Sequence, residues 1–216
     1  MKPSYLLCSK AILTALIALA SNSIYAKEWA FDVYLDKSKI GEHIFTLSED
    51  KTLTSRAKFN VKVLFINAYQ YDHQAIETWD NNCLKSLEAD TLENKTKTIV
   101  RGLRRSNHFE VGNGKNTQNL PICTMTFAYW NQKILAQSNL LNPQNAEFLD
   151  VSIKKIGAEV LDVKGKATET LHYKLNASLH GKPKLNIELW YTADHQEWVG
   201  LKSITPEGYN IYYKLK

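Results

Sequence analysis

No phosphate-cradling glycine loop, no Gly-x-Ser-x-Gly elbow and no His-Glu-x-x-His pair occurs in this sequence. Their absence removes the usual signals for nucleotide, serine-hydrolase and zinc-peptidase chemistry. The histidines, His43, His73, His108, His172, His180 and His195, are scattered without metal-ligand spacing, so neither a metal nor another cofactor is expected. Basic residues form no block of the length nucleic acid demands. Arg101, Arg104 and Arg105 are the local cluster and read as a solvated turn. Cysteine is scarce, with Cys8, Cys83 and Cys123 the full set. No repeat of fixed period and no linker breaks the chain, which predicts one domain.

Long apolar runs are also missing. The run Ala11–Ala20 would make about 15 Å of helix at 1.5 Å per residue, roughly half the hydrocarbon thickness of a bilayer. Lys2 and Lys10 precede it, and Ser21-Asn-Ser23 leads to Ile24-Tyr25-Ala26. A basic start, a short apolar centre and a small residue at the end predict a cleavable signal peptide over 1–26. The working protein is then exported and soluble, with no integral membrane segment. Cys8 follows Leu6-Leu7 without a small residue, so no lipid anchor is expected. Residues 27–216 would form a single barrel-like domain, with 25 basic against 22 acidic residues once Lys2 and Lys10 are removed.

With Cys8 gone, Cys83 and Cys123 form an even pair in an oxidising compartment, most simply one disulfide. Two free thiols or a metal site are the alternatives, and neither cysteine has a histidine within a few residues.

The rest of the chain is dominated by short period-two segments separated by turn residues. Phe31, Val33 and Leu35 alternate with polar neighbours before a turn into 40–47. Ala57, Phe59, Val61 and Val63 alternate with Lys58, Asn60 and Lys62. Further strands are expected at 69–79, 84–92, 97–103 and 107–111, then at 148–155, 158–163, 168–176, 185–191, 198–204 and 208–215. Between them, Phe127, Trp130, Ile134 and Gln137 fall at helical spacing, which predicts a short helix over 126–137 ended before Pro143. Parallel pairing needs crossover connections, and one helix cannot supply them. The fold class is therefore mainly β: an antiparallel meander forming a single barrel or half-barrel with one short central helix.

On a strand, alternate side chains share a face. Tyr69, Tyr71, His73, Ala75, Glu77 and Trp79 would line one side together, aromatic bodies with hydroxyl, imidazole and carboxylate as orienting groups. That is a candidate ligand wall, although ordinary core packing produces the same pattern. His73 and Glu77 lie about 13 Å apart along a strand at 3.3 Å per residue, too far for direct proton relay, and no catalytic residue is assigned. Phe127 and Trp130 would face inward at the lip or cap of the barrel and join the candidate binding residues. Trp190, Tyr191, Trp198, Tyr209 and Tyr213 are read as cross-strand packing.

Trp29-x-Phe31-x-Val33-x-Leu35, Val61-Lys-Val-Leu-Phe-Ile66, Tyr69-x-Tyr71-x-His73-x-x-x-Glu77-x-Trp79, Cys83-Leu84, Pro121-x-Cys123-x-Met-Thr-Phe-Ala-Tyr-Trp130, Leu140-Leu-Asn-Pro143 and Leu189-Trp-Tyr191 together resemble a family of uncharacterised exported proteins of Gram-negative bacteria, a domain of unknown function. The resemblance covers essentially the whole mature chain and implies a periplasmic address and a barrel-like fold, with no activity. More loosely, the strand–helix–strand order is similar to periplasmic half-barrels that carry lipids or lipoproteins, a likeness of fold alone. The expected function is a periplasmic binding or carrier protein for a lipid or other amphipathic envelope molecule. The alternatives are a non-enzymatic envelope-assembly module with a solid core, or a lipid-modifying enzyme using His73.

Overall fold

A computed structural model describes residues 26–63, 66–205 and 207–216, without the side chains of 62, 63, 66 and 67. The expected signal segment lies outside the described residues except for Ala26. The chain forms strands β1 (Lys27–Leu35), β2 (Ser38–Leu47), β3 (Thr52–Val63), β4 (Ile66–Asp80), β5 (Cys83–Glu93), β6 (Thr96–Arg104), β7 (His108–Gly112) and β8 (Thr117–Pro121). After a connection come β9 (Asn139–Leu141), β10 (Phe148–Val163), β11 (Lys166–Leu179), β12 (Lys182–Thr192), β13 (Trp198–Ile204) and β14 (Asn210–Leu215). Period-two patterning is the cause. In β4, Tyr71, His73, Ala75, Glu77 and Trp79 are buried while Gln74 and Ile76 between them are exposed.

Hairpins link the strands. Two of the tightest turns place Lys164-Gly165 and His180-Gly181 at positive φ, the geometry whose twist matches flanking strands. Gly41 answers a different demand: a Cβ there would run into the Lys58 carbonyl of β3.

All strands join one antiparallel sheet in the order β8-β7-β6-β5-β4-β3-β2-β1-β14-β13-β12-β11-β10-β9. The chain's first and last strands meet in its middle, with Phe31 opposite Leu215 and Val33 opposite Tyr213. The edges are β8 and β9, and they do not pair with each other. The sheet curls without closing, so the half-barrel is found and the closed barrel is not.

Residues 122–147 bridge the gap instead. Leu84 donates its backbone N–H to Thr124, and Leu141 to Met125. Asn113 Nδ2 donates to the Asn145 carbonyl at 3.1 Å and Gln118 Nε2 to that of Ala146 at 2.5 Å. Cys83 and Cys123 are disulfide-bonded, with Cα atoms 4.6 Å apart, which ties the start of this bridge to β5.

The expected central helix is not there. Residues 126–131 turn without a regular helix, and one five-residue 3-10 helix, Gln132–Ala136, follows. Asn131 opens it by accepting from the Lys133 N–H. Phe127, Trp130 and Ile134, the residues at helical spacing, pack against the main core from successive tight turns instead. Strands 148–155 and 158–163 are one strand, β10, interrupted by a bulge between Lys155 and Gly157.

The two ends of the half-barrel differ. At one, the bridge plugs the interior: Asn131 Nδ2 donates to Asn82 and Gln132 Nε2 to the Gln196 carbonyl, across turns of that end. The main core gathers beneath the plug, with Trp29, Trp79, Phe109, Met125, Ile134, Leu140, Tyr191 and Trp198 among its buried members. The opposite end carries the β1–β2, β5–β6 and β13–β14 turns, where Asp36 and Asn210 exchange hydrogen bonds. A smaller cluster sits there, made of Val33, Ile40, Ala57, Phe59 and Tyr71 with Leu35, Val61, Tyr69, Ile211 and Tyr213 half-buried against it.

Candidate functional site

The open end is the candidate site, and β-sheet register sets its depth. Leu35 pairs with Ile211, and Val61 with Tyr69, forming an apolar belt at the mouth. Two residues further in, about 7 Å along a strand, Phe59 stands opposite Tyr71 and Val33 opposite Tyr213. One step deeper, Ala57 separates two imidazoles, with His43 on one side and His73 on the other. Beyond His73 lies Thr91.

The aromatic groups are stacked in series. Tyr69 and Tyr71 are 6.4 Å apart between ring centroids, Tyr71 and Phe59 5.2 Å, and Tyr71 and His73 6.1 Å. A groove of about 600 Å³ opens beside them, lined by Leu35, Ile40, Asn60, Val61, Tyr209 and the β1–β2 turn. Leu35, Ile40 and Val61 belong both to the groove and to the cluster that packs Phe59 and Tyr71.

Burial controls the ionisation of the inner groups. Desolvation holds the His43 pKa well below that of a free imidazole, and the neighbouring His73 adds to the effect. His43 Nε2 lies 2.7 Å from Ser55 Oγ, its Nδ1 lies 3.2 Å from the Tyr213 hydroxyl, and its ring stacks on Phe45 at 3.9 Å. Burial pushes His73 down to about 4 against the opposing pull of Asp72 and Asp90, and its Nδ1 lies 2.8 Å from Thr91 Oγ1. Burial likewise raises Tyr71 and Tyr213 above the ordinary phenol range. At neutral pH these groups are uncharged hydrogen-bonding partners.

The sequence-predicted residues divide between the two ends. Tyr69 and Tyr71 line the open end, with His73 just beneath. Trp79 and Trp130 meet under the plug, ring centroids 5.5 Å apart and perpendicular, and Phe127 packs against the same core. Glu77 also belongs to the plugged end, where Thr126 Oγ1 donates to its carboxylate at 3.2 Å. Burial pushes its pKa up to about 7, more than this hydrogen bond offsets. The seven residues therefore do not form one pocket. His43, Ser55, Phe59, Thr91 and Tyr213 were missed. Alternation reached Ala57 and Phe59 and, carried two positions back from Ala57, would have reached Ser55. Nothing local points to Tyr213, which meets His43 across 170 residues of chain.

The Ser55–His43–Tyr213 series has the order of hydrogen bonds found in activated nucleophiles. It lacks the remainder of such a site. Ser55 is flanked by paired strands on both sides, which leaves no pair of free backbone N–H groups for an oxyanion. Among the described residues, no cluster of three or more His, Cys, Asp or Glu side chains could hold a metal. No helix among them is long and apolar enough to cross a membrane.

A family model described as a domain of unknown function, DUF6134, matches residues 31–216. Among solved structures, the fold is similar to a beta-barrel-like protein of domain of unknown function DUF1849 from Brucella abortus, with a TM-score of 0.65 over 89% of this chain and 96% of that one. The two sequences are 14% identical, so the likeness is one of fold. Comparison with curated proteins found no match.

Proposed function

We propose that this chain, which belongs to the DUF6134 family of unknown function, is an exported, periplasmic binding protein for a lipid or another amphipathic envelope molecule. One observation carries the reading. A groove of about 600 Å³ at the open end shares the apolar residues Leu35, Ile40 and Val61 with the cluster that packs Phe59 and Tyr71. A site of this volume that joins apolar residues to the polar side chains of Asp36, Lys37, Ser38, Lys39 and Asn60 suits a small amphiphile. The disulfide is compatible with an oxidising compartment.

An assembly module acting through a sheet edge is supported less well. Beyond its three pairs with β9, one side of β10 is unpaired among the described residues. That edge carries Lys154, Lys155 and the bulge at Ile156, features that discourage strand addition.

The test is displacement of a fluorescent apolar probe from purified, delipidated protein, with native mass spectrometry of the protein before delipidation. Binding is expected, and Val61→Trp, which fills the groove, should abolish it while leaving the unfolding transition in place. Protein that is empty as isolated and ignores every added amphiphile would remove the proposal.

A further inference from the structure

We propose that the open end carries an acid-released latch: protonation of His43 and His73 loosens this end while the plugged end stays folded. The latch is a property of the fold and does not depend on the binding reading above.

The two imidazoles fasten seams. His43 reaches two strands at once, with Ser55 of β3 at 2.7 Å and Tyr213 of β14 at 3.2 Å. His73 lies 2.8 Å from Thr91 of β5, whose hydroxyl donates to the Gln144 carbonyl of the bridge at 3.4 Å. Ala57 stands between the rings, which places them two strand spacings, about 10 Å, apart.

Neither ring is bonded to a carboxylate among the described residues. The titratable groups facing His43 are Tyr213 and, across Ala57, His73, and the rings of Phe45 and Phe59 stand beside it. Around His73 are Tyr71 on its own strand and Glu93 of β5, one step nearer the rim and bonded to the Tyr69 hydroxyl. Asp72 and Asp90 pull toward the cation without offsetting burial. Glu77 is four residues along β4, about 13 Å away. Two imidazolium ions at these positions would be desolvated and would repel each other.

The division of the core confines the response. His43 sits where the two clusters meet, between Phe45 and Phe59, and His73 lies against Tyr71 of the smaller one. His73 is held neutral down to about 4 against an ordinary 6.5, so opening this end takes up a proton in that window. The opening equilibrium then rises about 70-fold between pH 7.5 and 4.5 from His73 alone, and His43, lowered by burial too, adds to it. Under the plug the sign is reversed. Glu77 stands at about 7 against an ordinary 4.5, so acid returns its proton and favours the folded plug by about a hundredfold over the same range. Leu35, Ile40 and Val61, packed against the smaller cluster or part of it, also line the groove, which loses its walls when the latch opens.

The experiment is amide hydrogen exchange of the wild-type protein at pH 7.5 and 4.5, read by mass spectrometry and corrected for the intrinsic pH dependence of exchange. Strand β4 reaches both ends, so a single strand carries the comparison. Protection at residues 69–73 and 57–61 should fall by at least about 70-fold in acid, while protection at 77–80 and 84–87 holds. His43→Gln combined with His73→Gln should keep the open end closed at pH 4.5. His73→Gln by itself should remove about 70-fold of the response, which decides the matter where the double variant does not fold. Equal loosening of both ends, an open end unmoved by acid, or a folded His73→Gln protein that responds like the wild type would each overturn the latch and leave the binding reading standing.

Discussion

Replacing Glu77 by glutamine should stabilise this protein at alkaline pH and do almost nothing at acid pH. The carboxylate is buried, with one hydroxyl donor at 3.2 Å, and its pKa rises from 4.5 unfolded to about 7 folded. The folded state therefore holds the proton more tightly than the unfolded chain does. That preference is fully expressed below pH 4.5 and is lost as pH rises through about 7. At pH 8 the loss amounts to about 3 kcal/mol, from 1.36 kcal/mol per unit. Glutamine keeps an acceptor for Thr126 and never charges. The stability difference, variant minus wild type, should be near zero below pH 4.5 and grow to about 3 kcal/mol at pH 8. For a domain of this length that is roughly 6–12 °C in melting temperature. Urea unfolding across the pH range is the assay, and histidine titration cancels because both proteins share it. A difference that stays flat with pH, or a variant less stable at pH 8, would refute the reasoning.

The histidines should act in the opposite sense. His73 is held neutral, so the unfolded chain binds protons below pH 6.5 that the folded protein refuses until about pH 4. Stability should fall across that window by up to about 1.4 kcal/mol per pH unit, and His73→Gln in the Glu77→Gln background should flatten the acid limb. Replacing Cys83 and Cys123 together by serine opens a loop spanning 40 positions and should cost roughly 4 kcal/mol on chain-entropy grounds. Limited proteolysis of that variant should cut first within residues 122–138, and equal resistance in both proteins would count against a pinning role for the bridge.

Alternation along single strands determined a large part of this structure. It placed Tyr71, His73, Ala75, Glu77 and Trp79 on one face, because a pleated strand sends successive side chains to opposite sides whatever its neighbours are. Pairing Cys83 with Cys123 was equally legible, since the sequence outside the expected signal segment holds no other cysteine. Short edge strands β8 and β9 were not legible: three to five residues carry too few alternations to register. The apparent helix failed because turns can pack aromatic residues at helical spacing against a core without helical hydrogen bonds.

Only the tertiary structure decided how deep each residue lies and what it faces. Parity says that Tyr69 and Trp79 share a face, but ten residues of strand span about 33 Å, enough to carry one to the open mouth and the other beneath the plug. Pairing of the terminal strands β1 and β14 brought Tyr213 to His43, a contact with no local signature in either segment. Whether the sheet closes was likewise beyond local pattern, because closure depends on twist and stagger accumulated over every strand.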